Sequence, residues 1–300
     1  MANTETFVHP EYLVSTDWLA ANIDQPDLRI LDCTVFLVPD PKITYQVVTG
    51  RAEFEKAHIP GAHFADLHND LSDKSQPYRF MLPSAEEFAA AMGRLGVGES
   101  TRVVLYSGNT MWWATRIWWM LRVFGFDNAA VLDGGLQKWR EEGHQIASGR
   151  PDDPVPQRFV ARERPGLMVD KDTMLAAIGD GSVCTINALL PEQHAGTGGV
   201  HFGRPGHIAG SVNLPAAHLV DPASNTLRSP AQLRAYFGSV DALDRKVLLY
   251  CGGGIAASAD ALALVMLGHR DVRLYDASMS EWALDPDLPM EVGSGAPAPG

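Results

Sequence analysis

The sequence predicts an α/β protein made of two tandem copies of one small domain, each a parallel sheet with helices on both faces. Three observations carry the prediction: an internal duplication, an alternation of short β-rich runs with helical segments in each copy, and a proline-rich, charged stretch between the copies. The duplication shows in three pairs of segments. "KAHIPGAHFADL" (56–67) matches "PGHIAGSVNLPAAHL" (205–219), "RVVLYSGNT" (102–110) matches "KVLLYCGGG" (246–254), and "VLDGGLQKW" (131–139) matches "LYDASMSEW" (274–282). The pairs keep their order at offsets of about 143 to 149 residues, so His58 answers His207, Ser107 answers Cys251, and Trp139 answers Trp282. The copies are placed at 10–145 and 168–288, joined by a linker at 146–167 that wraps from one to the other, with a flexible tail at 289–300.

In the first copy "LRILDCTVF" reads as a strand, "RAEFEKAH" as a helix, "TRVVLYS" as a strand, "WWATRIWWMLRVFG" as a helix and "AAVLDGG" as a strand. In the second, Val247 to Tyr250 is a short β-favouring run, and "IAASADALALVMLG" has the alanine and leucine content of a helix, stopped by Gly268. Strands that alternate with amphipathic helices pair in parallel and are covered on both faces. Ligands of such sheets sit at the carboxyl ends of the strands, which is where Cys251 falls.

Composition narrows the function. The chain has 300 residues, 46% hydrophobic and 20% charged, the balance of a soluble globular protein. A formal net charge of −12 argues against a nucleic-acid or anionic-membrane surface and for a small-molecule partner. Cys33, Cys184 and Cys251 are far apart, with no CxxC pair and no zinc-ligand spacing, so neither a disulfide framework nor a metal site is expected. The first twenty residues lack a basic segment followed by an apolar core, and no apolar run reaches the roughly 18 residues of a spanning helix. The expectation is a cytoplasmic protein with reduced thiols, monomeric or weakly homo-oligomeric.

The loop "CGGG" joins the strand ending at Tyr250 to the helix that follows. Glycines let successive N–H groups converge on one point, an anion-binding nest at the start of a helix. Cys251 sits inside it, and those donors favour thiolate over thiol. They equally suit a persulfide, Cys–S–S⁻, whose terminal anion needs hydrogen bonds.

The chain thus resembles the two-domain rhodanese-type sulfurtransferases, which include thiosulfate and 3-mercaptopyruvate sulfurtransferases. The resemblance spans almost the whole chain: "HIPGA", "PYRFMLPSAEEFAAAMGRLGVG", "TRIWWMLRVFGF" and "VLDGGLQKW" in the first copy, then "RPGHIAGSVNLP", "LLYCGGGIAAS" and "DASMSEW" in the second. It implies tandem rhodanese-like domains and a ping-pong reaction without cofactor. Cys251 takes a sulfane sulfur from a small donor and hands it to cyanide or a thiol, and Gly252, Gly253, Gly254, Ile255 and Ala256 form the anion-binding loop. Ser107 stands where the first copy has lost its cysteine.

Thiosulfate-preferring relatives carry basic residues directly after the cysteine, and mercaptopyruvate-preferring ones a glycine and then a small hydroxyl residue. Here Gly252 and Gly253 follow. The family's Asp-x-Arg after the first strand of the catalytic domain is Asn187 and Leu189, and its aspartate and histidine from the first domain correspond to His68 and Phe80, with Asp66 and His63 nearby. Arg204 with His201, or Arg79 across the cleft, are the candidates to meet the donor's anionic group; Asp66 and His68 complete the candidate set. Thiosulfate is the favoured donor and 3-mercaptopyruvate the alternative.

Competing readings are weaker. Gly252 to Ala257 fits a G-x-G-x-x-A dinucleotide fingerprint, but only "DVRLYDAS" follows before the tail, too little for that fold. No G-K-[ST] follows for a P-loop, and Ala257 stands where a cysteine phosphatase needs arginine. A non-catalytic binding module with the same fold is the alternative of another class. Cys33 and Cys184 read as small buried hydrophobes, the tryptophans of "MWWATRIWWM" as packing residues, His58 and His207 as structural, and Asp133 and Asp276 as loop-orienting.

Overall fold

The computed structural model describes residues 6–40 and 45–293. In chain order the first copy runs β1 (Leu13–Val14), α1 (Thr16–Asn22), β2 (Leu28–Asp32), β3 (Val35–Pro39), β4 (Tyr45–Thr49), α2 (Arg51–Lys56), β5 (Ala62–Phe64), α3 (Ala85–Arg94), β6 (Arg102–Tyr106), α4 (Trp112–Val123), β7 (Ala129–Leu132) and α5 (Gly135–Glu141). The second continues with β8 (Met168–Val169), α6 (Lys171–Ala176), β9 (Val183–Asn187), α7 (Pro191–Ala195), β10 (His207–Ile208), β11 (Val212–Asn213), α8 (Pro230–Gly238), β12 (Lys246–Tyr250), α9 (Ala257–Met266), β13 (Val272–Tyr275), α10 (Ser278–Trp282) and β14 (Met290–Glu291).

The two five-stranded sheets have the same plan. The first is ordered β1-β7-β6-β2-β5 and the second β8-β13-β12-β9-β11, with all pairs parallel. Position by position, β6 answers β12 and β7 answers β13, as the duplication requires. Each central strand, "RVVLY" or "KVLLY", has its last four residues buried because helices cover both faces. Ser84 and Ser229 start α3 and α8 with capping boxes to Glu87 and Gln232.

Two sequence expectations need correction. "LRILDCTVF" is not one strand: β2 stops at Asp32, whose Oδ1 accepts the N–H of Thr34 at 2.9 Å and turns the chain into the antiparallel β3–β4 hairpin. The tail does not begin at 289, since Met290–Glu291 pairs antiparallel with His207–Ile208, and residues 294–300 of the expected tail lie outside the described residues. The linker is packed rather than free. Its amides at Gln157, Arg162 and Arg164 donate to carbonyls of Gly93, Phe124 and Val123, and Phe159 is buried.

The outer face of each sheet has its own core, but the inner faces share one. Trp113, Ile117 and Leu121 of α4 and Leu262, Val265 and Met266 of α9 belong to a single buried cluster. Where α4 meets α9, Thr115 Oγ1 and Ser258 Oγ lie 2.7 Å apart. Around that point the copies grip each other reciprocally. The N–H of Leu82 donates to Asp276 Oδ2 at 2.7 Å, and the N–H of Leu227 donates to Asp133 Oδ1 at 2.8 Å. Asp133 and Asp276 therefore do more than orient their own loops: each binds the other domain.

Burial raises the Asp133 carboxyl to about 6, against the lowering effects of the Leu227 amide and Lys138. A carboxyl whose folded pKa lies above its unfolded value of 3.8 favours the fold fully below 3.8, and that contribution is lost as pH rises to about 6. Asp133→Asn, which keeps the carbonyl acceptor, is therefore expected to melt above the parent at pH 7.5, with the difference shrinking as pH falls from 6 to 4. Thermal unfolding across that range checks the sign.

Candidate active site

Cys251 follows the central strand β12 and is 2% exposed, at the base of a cleft of about 390 Å³ between the two domains. The β3–β4 hairpin supplies one wall through Val35, Phe36, Leu37, Pro39 and Tyr45. Phe80, Trp112 and Trp113 come from the rest of the first domain, and Leu189, Val200 and Phe202 from the second. A larger hollow of about 460 Å³ beside Arg51, His63 and Arg94 contains no nucleophile, so chemistry selects the smaller one.

The loop is held from outside by three groups. Ser278 Oγ accepts the N–H groups of Cys251 (3.1 Å) and Gly254 (3.2 Å) and donates to the carbonyl of Tyr275 (2.7 Å). Gly252 O accepts both the backbone N–H (2.9 Å) and the hydroxyl (2.7 Å) of Ser280. Arg116, fully buried on α4, pairs with Asp276 Oδ1 at 2.6 Å, donates to Phe80 O at 2.7 Å and reaches Gly254 O at 3.4 Å. The carbonyls of Cys251, Gly252 and Gly254 are engaged, whereas the N–H groups of Gly252, Gly253, Ile255 and Ala256 donate to no protein group among the described residues. No side chain caps α9, which begins at the next residue. The free amides form a donor set beside Cys251.

Strain marks the support. Ser278 has φ 53°, a conformation that costs a non-glycine residue energy and that Gly135 adopts at the matching place in the first copy. What serine adds there is the hydroxyl on the loop amides. Sequence reasoning missed Ser278, although its alignment with glycine across the duplication was the available signal. It also missed Ser280, Arg116, Tyr45 and Phe202, whose partners are distant in sequence.

The three glycines differ in need. A Cβ on Gly252 would lie 2.1 Å from the Phe202 ring, and on Gly254, at φ 71°, 2.9 Å from Arg116 Nη1 and Asp276 O; on Gly253 it would meet nothing nearer than Ser280 Oγ at 3.6 Å.

The other sequence candidates are scattered. Arg204 does not meet an anion: its guanidinium is taken by the carbonyls of Trp282, Ala283, Asp285 and Leu288, which it ties together at the end of α10. His201 is exposed and off the cleft lining. Asp66 is buried, accepting from Thr49 and from both amide groups of Asn69, and is a turn-former rather than a ligand. His68 packs edge-on against Phe80, and desolvation lowers its pKa. His63 lies in the other hollow, 3.1 Å from Asp152 O. Arg79 alone of the set comes to the rim, its guanidinium 5.0 Å over the Tyr45 ring in a shallow hollow shared with Phe202 and Ser280. Burial pushes the Tyr45 phenol up while Arg79 opposes it.

Leu189 lines the cleft, and Asn187 is buried, its Oδ1 accepting from the Leu189 N–H. Trp118 and Trp119 are core, as expected, whereas Trp112 and Trp113 also line the cleft. His58 and His207 sit against the carbonyls of Phe54 and His194, which is structural. Burial pushes the Cys184 thiol up to about 11 and the Cys33 thiol well above its ordinary value, so neither is a nucleophile. Among the described residues no cluster of three His, Cys, Asp or Glu could hold a metal, and no helix is long and apolar enough to cross a membrane.

Comparison with known proteins agrees with this geometry. The family model of the Rhodanese-like domain matches residues 15–142 and 192–285. The chain is 34% identical to thiosulfate/3-mercaptopyruvate sulfurtransferase 1, mitochondrial, of Arabidopsis thaliana, over 96% of this chain and 80% of that protein. It is 32% identical to the 3-mercaptopyruvate sulfurtransferase of Escherichia coli K12 (93% and 98%) and 35% identical to the thiosulfate sulfurtransferase of Rattus norvegicus (90% and 91%). The crystal structure of the Escherichia coli 3-mercaptopyruvate sulfotransferase superposes with a TM-score of 0.79 at 32% identity, covering 89% of this chain and 98% of that one.

Three substitutions test the loop. Ser278→Gly removes the hydroxyl that holds the Cys251 and Gly254 amides, so sulfur transfer should fall roughly tenfold, the worth of about 1.4 kcal/mol of hydrogen bonding, while the relief of the positive φ offsets part of the loss of melting temperature. Gly254→Ala should lower the melting temperature by several degrees while Gly253→Ala leaves it near the parent value, a contrast that calorimetry reads directly.

Proposed function

Given that the chain belongs to the rhodanese family and is a two-domain sulfurtransferase, we propose that Cys251 is its nucleophile and sulfur carrier. The observation that carries this is the placement of one nearly buried thiol beside four backbone amides without protein partners, at the end of a cleft. The Cys251 thiolate attacks the outer sulfur of thiosulfate. The S–S bond of the donor breaks, sulfite leaves with the electron pair, and a persulfide anion remains among the amides of Gly252, Gly253, Ile255 and Ala256. Attack on the outer sulfur by cyanide or a thiol then returns Cys251 as thiolate.

Thiosulfate is the donor we favour, with Arg79 at the rim as the cation for its sulfonate end. 3-Mercaptopyruvate is the alternative; there a C–S bond breaks and the leaving carbanion takes a proton to become pyruvate. The mechanism needs no metal or organic cofactor. We place the reaction in the cytoplasm because a persulfide cycle needs Cys251 reduced and unpaired, and all three cysteines are free; a monomer or weak homo-oligomer is the assembly we propose.

Intact and peptide mass spectrometry of the reduced protein after separate incubation with thiosulfate and with 3-mercaptopyruvate is the test. One added sulfur on Cys251, absent in Cys251→Ser, is expected with at least one donor. No added sulfur with either would turn the assignment towards a non-catalytic rhodanese-like binding module.

A further inference from the structure

The loop amides account for the charged sulfur, but they occupy only one end of the cleft. The cleft as a whole, loop end included, is large for cyanide or hydrosulfide: about 390 Å³ equals roughly thirteen waters at about 30 Å³ each. Its walls are apolar, with Phe36 and Leu37 on the hairpin, Trp112 opposite the loop's own domain, and Leu189, Val200 and Phe202 on the catalytic domain. Among the described residues no charged side chain lines it, and Arg79 stays at the rim with its Nη1 on the Tyr45 carbonyl. A small anionic donor group can lie at the rim against Arg79, but a charge on an acceptor body seated along the apolar walls would lose its hydration with no charged side chain among the described residues to pair with it, whereas an apolar body gains by leaving water.

We propose that the acceptor this cleft is built for is an organic thiol with an uncharged apolar or aromatic body, rather than cyanide or a charged thiol. The inference rests on the persulfide reading above and names its second substrate. The body packs between the hairpin and Phe202 while its sulfur reaches the outer sulfur on Cys251. A new S–S bond forms to the acceptor, the Cys251–sulfur bond breaks with its electron pair returning to Cys251 as thiolate, and the thiol proton passes to the outgoing organic persulfide. Atoms and charge balance without an external oxidant or reductant.

The test uses the full chain, loaded with one sulfur and freed of donor, in single turnover with 2-phenylethanethiol, 2-mercaptoethanol and glutathione. Each rate is divided by the rate of the same thiol with a small-molecule persulfide, which removes intrinsic thiol reactivity. The aromatic thiol should lead 2-mercaptoethanol by roughly tenfold to a hundredfold, the value of burying one aromatic side-chain-sized group, and glutathione should be slowest. Phe36→Ala and Leu37→Ser, on the partly exposed hairpin, should each shrink the ratio several-fold. The unreactive alcohol 2-phenylethanol should compete with the aromatic thiol and quench Trp112 fluorescence. Equal corrected rates, or glutathione fastest, would overturn the acceptor assignment and leave the persulfide reading standing. If neither donor loads Cys251, the persulfide reading fails and the acceptor assignment falls with it, whatever 2-phenylethanol does.

Discussion

The buried Arg116–Asp276 pair is the contact on which the rest of the site depends. Arg116 belongs to the first domain and Asp276 to the second, and the same guanidinium reaches the Gly254 carbonyl of the catalytic loop. A cation with no exposure is tolerable only while its charge is paired; Nη1 and Nη2 are engaged and Nε alone has no partner among the described residues, so the domains and the loop must stay in one relation. Domain docking and loop geometry are thereby a single constraint. The first domain, which lacks the nucleophile, shapes the site through that arginine, through Phe80 and through the β3–β4 hairpin.

Duplication explains how such a site arises from repeated parts. Thr115 and Ser258 meet across the approximate twofold relation, and Leu82 with Asp276 mirrors Leu227 with Asp133. Departures from the symmetry carry the chemistry. Ser107 faces Cys251 in the alignment, Gly135 faces Ser278, and Arg116 faces Asp260 at the same offset. Asp260 is wholly buried, both its oxygens lack partners among the described residues, and desolvation raises its pKa well above the ordinary carboxylate range. The arginine of one copy anchors the other copy's loop, and Asp260 makes no such contact among the described residues.

Charge is handled locally. The persulfide anion of the proposed mechanism would be met by peptide dipoles that are already oriented, with no side chain needing to move. Apolar walls beyond the loop keep water from competing for those dipoles and strengthen them. A site of this kind separates the charge of the proposed persulfide, held at the loop amides, from the apolar walls that would meet the body of the proposed acceptor.

Much of this was legible in the chain itself. The repeated "VVLY" and "VLLY" strands, the "CGGG" loop and the helix stopped by Gly268 are local patterns, set by period, β-branching and glycine freedom, and they sufficed for two parallel sheets and for Cys251 at a strand end. The partners of the loop were not legible, because Ser278, Ser280 and Arg116 lie 24 to 138 residues from the loop groups they bind. Arg204 illustrates the limit most plainly: an arginine in a glycine-rich stretch looks ready for an anion, yet backbone carbonyls of residues 282–288 reach it first. By itself the sequence determined the fold and the place of Cys251 in a glycine loop at a strand end, whose causes act over a few neighbouring residues; tertiary structure alone decided which polar groups are free and that the cleft is apolar, because hydrogen-bond satisfaction depends on what packs nearby and not on what precedes in the chain.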